Sequence, residues 1–255
     1  SCDWSSDVCS SDLITELHIV GGLHPSLPFS YYTDMLKALS ALNDEVGRAI
    51  PCPPSLGRES SRAGSDAQGD GGSSVASPHQ DGAHGVTRRT NRLQLKCFTA
   101  IEILHLAWLA KKTVEQTLRE LKDAGLESLT GGGAEIFKKE VRSAIAKGKE
   151  SAEEYLDVHR TWHKLGGRST CTMLFGHVES LADRVDHLRQ LRALQDETKG
   201  FVGFVPLPYQ PENNDIPVQT PPTGFDALRT LRQTAEHYPQ LLPDPLIQHL
   251  PPTFW

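Results

Sequence analysis

The sequence predicts an α/β fold built on a parallel sheet. A short apolar strand, a glycine-rich or polar turn and a helix recur five times, with strand ends at Val20/Gly21, Phe98/Thr99, Leu129/Gly131, Phe175/Gly176 and Val205/Pro206. Helices between short strands are what parallel crossovers require. At 255 residues the chain is long enough to bury a core as one barrel or two small domains. Barrel-like and doubly wound sheets both fit the pattern, and in either the turns after the strands gather on one ligand-facing rim.

Taken in order, residues 1–13 (SCDWSSDVCSSDL) form a near-duplication without helical or strand period and read as a non-native leader. Glu16–Val20 is a β-type run ending at Gly21-Gly22, with Leu23-His24-Pro25 as its turn. A helix then carries Tyr32, Met35, Leu36, Leu39 and Leu42 at three-to-four spacing and ends near Val46. Gly47 to Arg92 is rich in Ser, Gly, Asp, Pro and Arg and lacks aromatics, so it reads as a disordered insertion in a connection that is usually short. Leu93–Phe98 resumes as a strand, helices follow over Ile101–Ala110 and Thr113–Ala124, and Gly125 is a helix stop.

Leu126–Leu129 is the next strand and runs into Gly131-Gly132-Gly133-Ala134-Glu135. An amphipathic segment to Ala146 and a helix over Ala152–Leu165 come next, then the strand Arg168–Phe175 and a polar turn with His177 and Glu179. The helix Leu181–Thr198 places Leu181, Val185, Leu188, Leu191 and Leu194 on one stripe. Gly200–Pro206 is a short strand, Leu207–Pro222 a loop, Phe225–Tyr238 a last helix, and the tail from Pro239 is too proline-rich to be regular.

Composition narrows the function. A formal charge of -6 argues against a nucleic-acid partner. No apolar run is long enough to cross a bilayer and the N-terminus lacks the order of a secretory signal, so no membrane association is expected and the cytoplasm is the default location. Cys2, Cys9, Cys52, Cys97 and Cys171 are odd in number and scattered, which is no disulfide framework. A hydrophobic content of 38% and a mean hydropathy of -0.38 leave part of the chain outside any core.

The strand-end turns hold the candidate site. Glycines at 131–133 let a backbone approach a ligand, the helix beyond presents its positive end, and Glu135 accepts from hydroxyls or an amine. A plain helix-entry turn is the simpler reading of a lone glycine cluster, and convergence with the other turns raises the ligand reading. Thr99 and Glu102 have capping-box spacing, which competes evenly with a ligand role. His24 either contacts a ligand or, more simply, caps its own turn. His177 and Glu179 line a ligand or form a helix entry with its carboxylate at the favoured end, two readings of equal weight. His159 and His163 lie four apart on one helix, yet no third ligand has the right spacing, so no metal site is assigned.

Six segments carry a resemblance: Gly21–Leu36 (GGLHPSLPFSYYTDML), Lys96–Ile103 (KCFTAIEI), Gly131–Phe137 (GGGAEIF), Thr172–Ser180 (TMLFGHVES), Arg184–Phe201 and Phe204–Asn214 (FVPLPYQPENN). In this order and spacing the chain from about Ile14 to Arg229 resembles the aminofutalosine synthase family of radical S-adenosylmethionine (SAM) enzymes, in the futalosine route to menaquinone. The resemblance implies a partial (β/α) radical-SAM-type TIM barrel over residues 14–232, interrupted by the insertion at 47–92 and followed by an irregular tail at 233–255. It implies SAM and a [4Fe–4S] cluster as cofactors, an external electron donor, and a small-molecule substrate, 3-[(1-carboxyvinyl)oxy]benzoate, to which a 5′-deoxyadenosyl group is added to give aminofutalosine. Gly21, Gly22, Gly131, Gly132, Gly133 and Glu135 would then face SAM, and His24, Thr99, His177 and Glu179 the substrate. Family members carry C-x-x-x-C-x-x-C upstream of the Gly21-Gly22 turn. The chain has no such motif, so it is expected to be an incomplete, inactive copy. The alternatives are an enzyme like cyclic dehypoxanthinyl futalosine synthase, or a non-catalytic β/α protein that binds a small molecule.

Overall fold

The computed structural model describes residues 16–46, 93–214, 216, 218 and 220–237. The leader at 1–13, the insertion at 47–92 and the tail from Pro239 lie outside the described residues. Five strands form one curled sheet in the order β1-β2-β3-β4-β5. They are β1 (Glu16–Ile19), β2 (Gln94–Cys97), β3 (Ser128–Leu129), β4 (Arg168–Phe175) and β5 (Phe201–Pro208), and every neighbouring pair is parallel. The helices are α1 (Phe29–Val46), α2 (Ala100–Ala110), α3 (Val114–Asp123), α4 (Lys139–Ile145), α5 (Ala152–Lys164), α6 (Leu181–Thr198) and α7 (Gly224–His237). Sequential order without a reversal point selects the barrel-like reading over the doubly wound one.

Strand alternation sorts the side chains. Leu17, Ile19, Leu95, Cys97, Leu129, Cys171 and Met173 join the core with Ile103, Leu118, Leu121, Tyr155, Trp162, Leu188, Leu191 and Leu194 from the helices. The alternate positions put Glu16, His18, Lys96, Ser128 and Thr170 on the other face of the sheet. There Glu16 accepts from Lys96 Nζ at 3.4 Å and pairs with His18. Burial works against the Glu16 carboxylate, but these partners prevail and hold its pKa below the usual range.

Local signals fix the helix ends. Thr99, Thr113, Ser151 and Ser180 occupy the N-cap positions of α2, α3, α5 and α6, each with Glu, Gln or Asp three residues on. Two details depart from the sequence reading. In α6 the apolar stripe is buried only at Leu188, Leu191 and Leu194, while Leu181 is 71% and Val185 41% exposed, because the first turns stand at the rim beyond the sheet. Instead His187 and Gln195 are buried and hydrogen-bonded to the backbone of Thr172 and Phe201. β5 also runs two residues further, through Pro208; proline is tolerated because β5 is an edge strand.

Buried histidines sit behind the sheet. Ser169 Oγ on β4 bridges His159 Nδ1 at 2.9 Å and His163 Nε2 at 2.8 Å, and His163 Nδ1 meets Thr198 Oγ1 at 2.8 Å. This hydroxyl network accounts for the four-residue spacing without a metal. Burial, reinforced by His163, lowers the His159 pKa to about 3. Burial and the charge of Arg168 take His163 to about 4, and burial takes His187 to about 3 against the opposing effect of its hydrogen bond to the Thr172 carbonyl. Each folded-state pKa lies below the unfolded value of about 6.5, so the unfolded chain binds more protons between the two. The stabilisation is complete above about pH 6.5 and is lost as pH falls toward 4 and 3. Urea unfolding at pH 7.5, 6 and 5 should show stability falling by roughly 1–2 kcal/mol per histidine by pH 5. A flat profile over that range would contradict the burial of neutral rings.

Candidate functional site

The carboxyl ends of the strands are stitched together by backbone and side-chain hydrogen bonds. Phe98, just past β2, donates its amide to Ile19 O at 2.9 Å, and its carbonyl accepts from both Thr130 N and Thr130 Oγ1 at 3.0 Å. It does so in the left-handed region, φ 65°, which for a bulky side chain is strained backbone at the centre of the rim. Leu174 N reaches Glu135 O at 3.0 Å, and Tyr209 N reaches Phe175 O at 2.8 Å. The row of bonds therefore continues from β1 to β5.

The turn after β1 is held by Glu102. Its Oε1 accepts from Gly21 N at 2.8 Å and Gly22 N at 3.1 Å, while Oε2 accepts from Thr99 N at 2.8 Å and Thr99 Oγ1 at 2.7 Å. The capping box expected from Thr99 and Glu102 is present, and the same carboxylate also crosses to the neighbouring turn. Gly21 and Gly22 are exposed, and a Cβ at either would meet nothing within 4 Å. Open space thus lies in front of a turn whose two amides are occupied and whose carbonyls remain. His24 closes the same loop: its Nδ1 accepts from Ser26 N at 3.3 Å and Leu27 N at 3.1 Å, and its carbonyl meets His105 Nε2 at 2.8 Å.

Gly131 is committed to packing. Its amide donates to Thr170 Oγ1 at 3.0 Å, and its carbonyl accepts from Tyr155 Oη at 2.8 Å and Thr172 Oγ1 at 2.7 Å. A Cβ there would stand 2.6 Å from Cys171 Cα. Gly132 faces the β2 turn, 3.2 Å from Thr99 Cγ2 at its Cβ position, and Gly133 has φ 90°. Beneath them the buried Arg142 donates to Ala134 O at 2.6 Å, Gly133 O at 3.0 Å and Glu150 O at 2.6 Å. Glu135, at φ 48°, pairs with Lys149 Nζ at 2.7 Å. A cavity of about 720 Å³ opens beside α4 and the start of α5, lined by Arg142, Lys149 and Glu150, but it includes none of Gly21, Gly22, Thr99, Gly131–Gly133 or Glu135.

The turn after β4 is a separate charged knot. The Glu179 side chain is fully buried and accepts from Gly176 N at 2.6 Å, His177 N at 2.9 Å and Arg184 Nε at 2.7 Å. Burial raises its pKa, but the bonds and charge from His177 and the Gly176 amide prevail and bring it down to about 2. His177 Nε2 meets Leu174 O at 3.1 Å while Nδ1 accepts from Val178 N at 2.8 Å. The structure thus joins Gly21, Gly22 and Thr99 through Glu102, with Gly132 packed against Thr99, and places His177 and Glu179 in a cluster of their own. Sequence reasoning missed Arg142, Tyr155 and the bonds Glu102 accepts from the first turn; in the last case the partners are some 80 residues apart and leave no local pattern.

Among the described residues no group of His, Cys, Asp or Glu could hold a metal ion. Cys97 and Cys171 do not suit an iron–sulfur cluster: both are buried core thiols, burial pushing Cys97 up to about 11 and Cys171 higher still. No helix among the described residues is long and apolar enough to cross a membrane.

A curled parallel half-barrel with its open polar turns on one rim defines a β/α-barrel enzyme scaffold. Residues 80–191 match the family model of the Radical SAM superfamily. The chain is 37% identical over 222 residues to aminodeoxyfutalosine synthase of Thermus thermophilus, covering 86% of this chain and 47% of that protein. It is 38% identical over 227 residues to aminodeoxyfutalosine synthase of Streptomyces coelicolor (85% and 46%) and 43% identical over 146 residues to cyclic dehypoxanthine futalosine synthase of the same organism (57% and 37%). The chain is thus similar to radical SAM proteins, and it spans a little under half the length of these curated relatives.

The packing of Gly131 gives a direct test. Gly131→Ala should lower stability by about 2–3 kcal/mol, since the new methyl meets the β4 backbone and not a movable side chain. A denaturant midpoint unchanged from the parent would show that the turn can relax away from Cys171.

Proposed function

We propose that this chain provides the SAM-binding rim of an enzyme like aminofutalosine synthase. The observation that carries the proposal is the Gly21-Gly22 turn: its amides are held by Glu102, its carbonyls remain, and open space lies before it. Two carbonyl oxygens suit the ammonium group of the methionyl head, which brings donors and no acceptor. Glu135 supplies a carboxylate for ribose hydroxyls and Lys149 restrains it. Thr99 and Gly132, packed together, form the wall between the β1 and β3 turns. The charged knot of His177, Glu179 and Arg184 sets the backbone of the substrate end. These residues bind, orient and exclude water, while radical chemistry is what SAM would supply when bound.

Similarity to two aminodeoxyfutalosine synthases over more than four fifths of the chain favours the acrylate ether 3-[(1-carboxyvinyl)oxy]benzoate as the parent enzyme's substrate, in menaquinone biosynthesis. The higher identity to cyclic dehypoxanthine futalosine synthase over a shorter stretch favours, as a second reading, a cyclising enzyme of the same route. Cysteines stand only at positions 2, 9, 52, 97 and 171, so the sequence contains no C-x-x-x-C-x-x-C. The chain by itself is expected to bind SAM without cleaving it. After anaerobic reconstitution with iron, sulfide and dithionite, equilibrium dialysis should show SAM retained and chromatography no 5′-deoxyadenosine. Cleavage by this chain would overturn the binding-only reading, and failure to retain SAM would overturn the rim assignment.

A further inference from the structure

We propose that Glu102 is a positioning residue for recognition of the amino-acid head of SAM: by taking both glycine amides of the first turn, it directs that turn's carbonyls to the ligand. The inference rests on the reading that the Gly21-Gly22 turn receives SAM. Glu102 projects from the first turn of α2 and is 5% exposed, so its carboxylate is not itself a ligand contact. Both oxygens are in use, one on each of two turns that no covalent connection shorter than 77 residues joins.

Each peptide has one donor and one acceptor, which lie in its plane and point in opposite directions. Fixing the N–H of Gly21 and Gly22 toward the carboxylate therefore points the carbonyls of the same two peptides, those of Val20 and Gly21, away from it. Gly22 holds φ 76°, and neither glycine has a Cβ contact to keep it there, so the carboxylate is the local restraint on a conformation that glycine otherwise leaves freely. A carboxylate is required because four donors converge on it. A glutamine of the same length turns its NH₂ toward one donor pair, and an aspartate is one methylene too short to span both turns.

The test compares two probes on the full chain. SAM carries the amino-acid head; 5′-methylthioadenosine has the nucleoside and sulfur without it. Isothermal titration of the parent chain should show a preference for SAM. In Glu102→Asp and Glu102→Gln, SAM affinity should fall by at least about tenfold while 5′-methylthioadenosine affinity stays within about twofold, so the preference collapses. A merely structural role weakens both probes together. Ser151→Ala removes a comparable cap on α5 and should leave the preference intact. Should both Glu102 variants fail to fold, carbonyl ¹³C shifts of Val20 and Gly21 in the parent chain decide: SAM should move them and 5′-methylthioadenosine should not. An unchanged preference in the Glu102 variants overturns the role of Glu102 alone; carbonyl shifts unmoved with SAM bound overturn the carbonyl contact and the role of Glu102 with it. A parent chain that binds the two probes equally, or binds neither, overturns the SAM reading of the turn and the positioning role with it.

Discussion

Four donors converge on the Glu102 carboxylate, and the first half of the rim is arranged by that convergence. A parallel sheet stops bonding where its strands end, and the next few peptides must find partners or water. Glu102 supplies partners for two such turns at once. Hydrogen bonds to a charged group contribute about 1.5–3 kcal/mol each, so a loop rich in glycine is given one shape despite its entropy. Phe98 completes the arrangement: its strained backbone lies between Ile19 and Thr130, affordable only because both of its peptide groups are satisfied there.

The other turns follow the same rule with different chemistry. Where Glu102 accepts from amides, the buried Arg142 donates to the carbonyls of Gly133 and Ala134, and Glu179 accepts from the Gly176 and His177 amides under the charge of Arg184. Buried charges at a rim are ordinarily the first suspects for ligand contacts. Here they bond to the protein's own backbone, so on the proposed reading the ligand meets peptide groups, glycine surface and the less buried Glu135. An arginine or glutamate removed from such a site leaves several peptide groups unpartnered, which is why the cost is larger than that of one bond.

Much of the fold was legible because it is written in local patterns. The stop at Gly125, the capping-box spacing of Thr99 and Glu102, and the alternation of short strands with helices are such patterns, and β4 and α6 fall on the residues expected. Less was legible at the rim. Thr99 and Glu102 displayed a capping box, yet the second function of that carboxylate depends on Gly21 and Gly22 arriving from the far side of a long insertion. Gly131 read as a ligand-facing glycine, and its tightest requirement turned out to be the backbone of Cys171, 40 residues on. His159 and His163 read as an ordinary helix pair, and Ser169 explains them. Contacts made through folding carry no period, so sequence pattern identifies the turns and cannot say which of their atoms are already taken.

That last distinction bears on how binding and chemistry divide in this chain. The two described cysteines lie in the core, Cys171 with its backbone against Gly131 and Cys97 beside the Phe98 strain. Ionising either thiol means placing a charge where burial already raises its pKa, and moving either to the surface breaks the rim that holds the glycine turns. The same packing that shapes the binding face therefore keeps these sulfurs out of redox chemistry. The Gly21-Gly22 turn adjoins that core: Cys97 pairs with Ile19 across β1 and β2, and the amides of the turn are held by Glu102. On the proposed reading, recognition of an amino-acid head falls to the peptide groups of this turn and not to the two described thiols.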